Sequence, residues 1–183
     1  QISGKIRIEV ERRRGNKPSL VIVRDKAAGM SAKQMEENIC HVGNRTSGFE
    51  AGKKRRGLHG RGAKDVVIFG SAHFESIKDE KYSHLILSPS LKYHWIAIGE
   101  KVTDYQRKEL GISRGNGTVV TVEVSSSFSI PTHEKLGDLL SRYYSLRDIM
   151  SNNKRDLVLV DLNSGREQIL RYSYPQGSVV LDK

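Results

Sequence analysis

Cysteine, proline and tryptophan are all scarce: the 183 residues hold one, four and one of them. With Cys40 alone no internal disulfide can form, which points to a reducing, intracellular setting, the cytoplasm or the nucleus. No apolar run approaches the roughly 20 residues that cross a bilayer, so the sequence offers no membrane helix and no membrane partner is expected. The opening residues Gln1-Ile2-Ser3-Gly4-Lys5 lack the charged-then-apolar pattern of a signal peptide. A first residue other than Met reads as a fragment, a processed product or an excised domain. Internal repeats and low-complexity tracts are also missing, which excludes solenoids and disordered tails.

What is present is an ordinary globular composition, 37% hydrophobic and 28% charged, over a length that suits one domain spanning 1–183. The net charge of +10 favours a polyanionic partner: nucleic acid, anionic lipid or a phosphorylated ligand. The basic runs are Arg12-Arg13-Arg14 and Lys53-Lys54-Arg55-Arg56. Neither carries aromatic interleaving, zinc spacing or an RNA-recognition signature. Nucleic-acid binding through them is therefore admitted but not specified, and solvated loops explain them equally well.

Residues 5–10 alternate as a half-buried strand, and Leu20-Val21-Ile22-Val23 reads as a strand buried on both faces, leading into Asp25. Ser31 with Gln34 forms a capping box, and Ala32, Met35, Ile39 and Val42 follow at helical spacing, which predicts a helix over 32–41. From 43 to 61 the pattern dissolves into a long polar loop. Strands are expected at 72–77, 83–87, 93–98 and 118–124. Thr103 with Gln106 is a second capping box, with Gly111 as its helix stop. Leu136, Leu139, Leu140 and Tyr143 predict an amphipathic helix from 132 to about 150. A hairpin around Asn163-Ser164-Gly165 closes the chain, the helix and hairpin together occupying about 132–175.

Three segments carry the chemistry. Asp25-Lys26-Ala27-Ala28-Gly29-Met30 sets a carboxylate at the end of a buried strand, ahead of a glycine turn and a helix. A half-buried carboxylate is costly unless it accepts hydrogen bonds, and a ligand's amino group would supply one. Gly57-Leu58-His59-Gly60-Arg61-Gly62-Ala63-Lys64 is a glycine-rich loop whose amides suit an anion, with Lys64 adding a point charge. It is not a P-loop, because Asp65 stands where Ser or Thr belongs. Gly115-Asn116-Gly117-Thr118 is a tight turn feeding a strand. The six histidines show no metal-ligand spacing.

In order and spacing these segments resemble the GHKL (Bergerat-fold) ATPase superfamily, nearest its MutL, heat-shock chaperone, MORC and type II topoisomerase branch. Asp25 to Met30 is similar to the family's Asp-x-Gly-x-Gly motif, with Ala27 in place of the first glycine. Gly57, Gly60 and Gly62 match its Gly-x-x-Gly-x-Gly loop, and Gly117-Thr118 its last motif. The resemblance implies an α+β two-layer sandwich, a mixed, mostly antiparallel sheet with helices on one face. It implies that Asp25 accepts from the adenine amino group of ATP or ADP, with Thr118 in the same network. Gly29 would let the backbone pass the base and Met30 would pack near it. Residues 43–60 would form a lid, and Gly60 and Gly62 would contact phosphates.

The same resemblance makes residues 63–69 helical, with Gly70 as the stop, against the β-propensity of Val66-Val67-Ile68-Phe69. The implied function is an ATP-driven conformational switch whose parent protein uses Mg2+ and forms an ATP-dependent dimer. The rival reading is a basic nucleic-acid-binding module with a degenerate ATPase-like fold. The family's catalytic Glu and magnesium-holding Asn lie on a helix before the first strand, and this sequence begins at that strand. Glu36-Glu37-Asn38 comes after Asp25, in the wrong order, and reads as a solvated helix face. The expectation is a nucleotide-binding fragment with no catalytic residue of its own.

Overall fold

The computed structural model describes residues 4–40 and 65–174. The chain begins with two strands, β1 (Gly4–Glu11) and β2 (Ser19–Asp25), then the short helix α1 (Ala32–Met35), which runs on as a π turn over Glu36–Cys40. After a 3-10 turn (Val66–Ile68) come β3 (Gly70–Lys78), β4 (Lys81–Leu87), β5 (Tyr93–Lys101), α2 (Asp104–Leu110) and β6 (Gly117–Val124). The last part holds α3 (His133–Arg142), a 3-10 turn (Tyr144–Leu146), α4 (Arg147–Met150), β7 (Arg155–Asp161) and β8 (Arg166–Leu170).

The strands form one eight-stranded sheet in the order β5-β4-β3-β6-β2-β1-β7-β8. Only the β1–β7 pair is parallel, with Ile6 beside Leu157 and Ile8 beside Leu159. The fold is thus α+β with a mixed, mostly antiparallel sheet, as expected.

Side-chain alternation assigns each residue to a face. One face carries Val10, Val21, Val122, Ala72 and Leu87, and beside them Val120, Phe74 and Leu85. Met35 of α1, Ile39 of the π turn and Val67 of the 3-10 turn cover it over β3, β4 and β6. Leu136, Leu140, Leu146, Ile149 and Met150 of the α3–α4 segment cover it over β1, β7 and β8. Ile130 packs against both blocks. The opposite face carries Ile22, Val119, Ile77 and Tyr82, and Leu110 and Ile112 cover these from α2 and the loop after it.

Four expectations are corrected. The helices are not confined to one face, since α2 packs on the other. The 132–150 segment is two short helices, because Tyr143 is extended (φ −74°, ψ 111°) and ends α3; Leu139 and Tyr143 face solvent rather than the sheet. In the described part of the expected 63–69 helix, Asp65 is α-helical and Val66–Ile68 a 3-10 turn, so the helical reading holds there against the β-propensity, but Gly70 opens β3 rather than stopping the helix. β2 is not buried on both faces: Ile22 is buried, but Val23 is 36% exposed in mid-sheet, between the two helical blocks.

Candidate functional site

The face beneath α1 is built in rows across the central strands. Val21, Val122, Ala72 and Leu87 form one row, and Val23, Val120, Phe74 and Leu85 the next. The row after that is Asp25, Thr118, Ser76 and Ser83, polar throughout. Thr118, Ser76 and Ser83 are buried, Ser76 and Ser83 almost completely. Buried hydroxyls in place of Val or Phe cost stability unless bonded, so this row needs a reason.

Ser76 supplies part of it. Its Oγ accepts from the Met30 N–H at 2.7 Å, donates to the Gly117 carbonyl at 2.9 Å and lies 3.1 Å from Thr118 Oγ1. One hydroxyl therefore ties together the glycine turn after β2, the start of β6 and β3. Nothing in the sequence flags Ser76; the only signal is a Ser where the alternation of β3 calls for an apolar residue. Ser76→Ala leaves the Met30 N–H without its acceptor, a loss of about 1–3 kcal/mol. Urea denaturation should show it, and an unchanged midpoint would mean that the hydroxyl does not hold the turn.

Asp25 Oδ1 accepts from the Ala27 N–H at 2.9 Å. Burial pushes its pKa above the ordinary aspartate value, against the lowering effect of backbone N–H groups of Ala27 and Thr118. A carboxylate offers about four lone-pair sites, so acceptor capacity remains for a ligand. The group borders a cavity of about 280 Å³ lined by Ile6, Ala27, Ile149 and Arg155 among others. That volume lies near the lower end for small-molecule sites and suits a base more than a whole nucleotide.

The two glycines expected at the site are both sterically required. Gly29 has φ +62°, and a Cβ there would sit 2.2 Å from the Ile77 carbonyl oxygen. It lets the turn pass β3, which is a different close approach from the base contact that the resemblance implies. A Cβ at Gly117 would lie 2.5 Å from the Asp25 carbonyl oxygen and 2.8 Å from Ile112 Cδ1. Met30 joins the site through its backbone, while its side chain packs on the α1 core.

Asp25, Gly29, Met30, Gly117 and Thr118 are thus brought together, with Ser76 added. Gly57, Gly60, Gly62, Lys64 and the 43–60 lid lie outside the described residues, as do Lys53-Lys54-Arg55-Arg56. Glu36, Glu37 and Asn38 are exposed, the solvated face expected of them. Of the other basic run, Arg12 bonds Asp161 at 3.0 Å and the Pro131 carbonyl, and Arg13 bonds Glu11 at 2.8 Å. Arg12 and Arg13 are therefore engaged in internal contacts.

Among the described residues there is no cluster of three or more His, Cys, Asp or Glu side chains placed to hold a metal ion. Among the described residues no helix is long and apolar enough to cross a membrane. Compared with known proteins, the chain matches no protein-family model and no curated protein.

Proposed function

We propose that this chain binds an adenine nucleotide at the Asp25 end of the sheet, as the nucleotide-binding part of a GHKL-type ATPase that acts as an ATP-driven conformational switch. The observation that carries the reading is the polar row. Asp25, Ser76 and Thr118 come from three distant segments and meet, beside Ser83, next to two rows that are apolar throughout. Asp25 keeps an acceptor toward a cavity, and adenine offers an amino donor where guanine offers a carbonyl. The exposed Val23 gives independent support. It leaves an uncovered strip between the α1 and α3–α4 blocks, beside Asp25, where a nucleotide and the family's Glu/Asn helix would lie. In that family Mg2+ accompanies the nucleotide and its ligand comes from that helix. The internal pairing of Arg12 and Arg13 weakens the rival reading, a nucleic-acid module working through its basic runs.

Calorimetry with ADP and GDP tests the proposal. ADP should bind more tightly by roughly tenfold or more, since a hydrogen bond to a charged group contributes about 1.5–3 kcal/mol. Equal affinities would remove Asp25 as the base reader. The 183-residue chain should release no phosphate above a buffer blank, since no carboxylate holds the motif position of a general base, a role worth about 10²–10⁴-fold. Turnover abolished by Asp25→Ala would place the catalytic groups elsewhere.

A further inference from the structure

The face of the sheet opposite the adenine cavity carries a larger cleft of about 510 Å³ at the same end. Five cations line it: Lys5, Arg7, Arg24, Lys26 and Lys108. Of the three carboxylates there, Glu9 is buried and already neutralised, with Oε1 3.1 Å from Arg7 Nε and Oε2 2.9 Å from Arg24 Nε. Asp25 is turned to the other face by the register, which leaves Glu109.

The cleft also abuts the C-terminal end of α2, where free carbonyls would repel an anion. Three of those carbonyls are occupied. Arg107 O accepts from the Ile112 N–H at 3.0 Å, Lys108 O from the Gly111 N–H at 3.1 Å, and Glu109 O from Arg24 Nη1 at 3.1 Å. Meanwhile no hydrogen bond or ion pair among the described residues holds the ammonium groups of Lys5, Lys26 and Lys108. Arginines fixed by Glu9, and Arg7 also by Glu167 at 2.6 Å, thus underlie a cleft whose three lysines make no hydrogen bond or ion pair among the described residues, Lys5 lying within the field of Glu167, in a chain of net charge +10.

We infer that this cleft binds a phosphate-rich anion, either a nucleic-acid strand or a free oligophosphate, through its phosphate oxygens. The cleft shares Lys5, Asp25 and Lys26 with the rim of the nucleotide cavity but opens on the opposite face, and the inference does not depend on the nucleotide assignment.

The test uses the whole 183-residue chain, a fluorescently labelled single-stranded oligonucleotide read by anisotropy, and unlabelled tripolyphosphate as competitor. Lys5→Glu/Lys108→Glu should weaken binding by about tenfold or more. The milder Lys5→Gln/Lys108→Gln should lose two phosphate contacts and flatten the dependence of log K on log salt by about 1.4. Arg14→Glu is the control. It lies beyond the far end of β1, whose eight residues span about 26 Å, and should leave affinity nearly unchanged. Displacement by tripolyphosphate at matched phosphate concentration identifies a free oligophosphate as the ligand; a strand that resists displacement identifies nucleic acid. The inference is overturned if wild type binds neither probe, if both lysine pairs behave as wild type, or if Arg14→Glu loses as much.

Discussion

Asp25→Ala is expected to weaken ADP binding by roughly tenfold to a hundredfold, the range that follows from a charged hydrogen bond of about 1.5–3 kcal/mol. The same side chain should cost the unliganded fold stability. Its pKa is raised chiefly by burial, so the native state holds the proton more tightly than the unfolded chain. The sign follows from linkage. The penalty is absent below the ordinary carboxylate range, near about 4. It grows as pH rises toward the raised native value, and it is complete above that value.

Asp25→Asn keeps the Oδ1 acceptor for the Ala27 N–H and carries no charge to desolvate. Its melting temperature should therefore exceed that of wild type at neutral pH, and the gap should close on acidification. A residue whose replacement stabilises the fold while its truncation removes ligand is one retained for function. If Asp25→Asn instead lowered the melting temperature at neutral pH, the carboxylate would be a structural group.

Gly29→Ala should be the most destabilising small substitution at the site. A left-handed backbone costs a non-glycine residue about 1–2 kcal/mol. At Gly29 the new methyl also meets backbone, the Ile77 carbonyl oxygen at 2.2 Å, which cannot swing away as a side-chain tip would. Overpacking adds about 1–3 kcal/mol, for an expected total of about 2–5 kcal/mol. Gly111 isolates the first contribution. It has φ +65° at the end of α2, and nothing lies within 4 Å of where a methyl group would stand, so Gly111→Ala should cost only the backbone part. Equal losses in the two variants, measured by denaturant unfolding, would show that the turn after β2 can lift off β3 freely.

Local signals in the sequence were reliable where the physics is local. Both capping boxes form, Ser31 with Gln34 and Thr103 with Gln106, and Gly111 closes α2 in the left-handed conformation. Apolar runs and alternation located the strands to within a few residues at their ends. The site's two ends were legible too: Asp25 and Thr118 face each other across β2 and β6.

Features decided by distant partners were not legible. The parallel pairing of β7 with β1 joins segments about 150 positions apart and leaves no local trace. Leu139 and Tyr143 have helical spacing, yet the extended backbone at Tyr143 cuts the helix before that face can reach the sheet. The side taken by α2 depends on Ile22, Ile77 and Val119 lying opposite Leu110. Val23 looks like a core residue in any window of sequence; its exposure depends on what does not cover it. Ser76 is informative only once β3 lies beside β6.

Whether the polar row of Asp25, Ser76 and Thr118 holds an adenine nucleotide is read residue by residue by titrating ADP into isotopically labelled wild-type chain with its backbone amide resonances assigned. The largest shifts should fall on residues 25–30, 76–77 and 117–118, with little change along β5 and β8. Shifts centred on another part of the sheet, or none at saturating ADP, would contradict the proposed site.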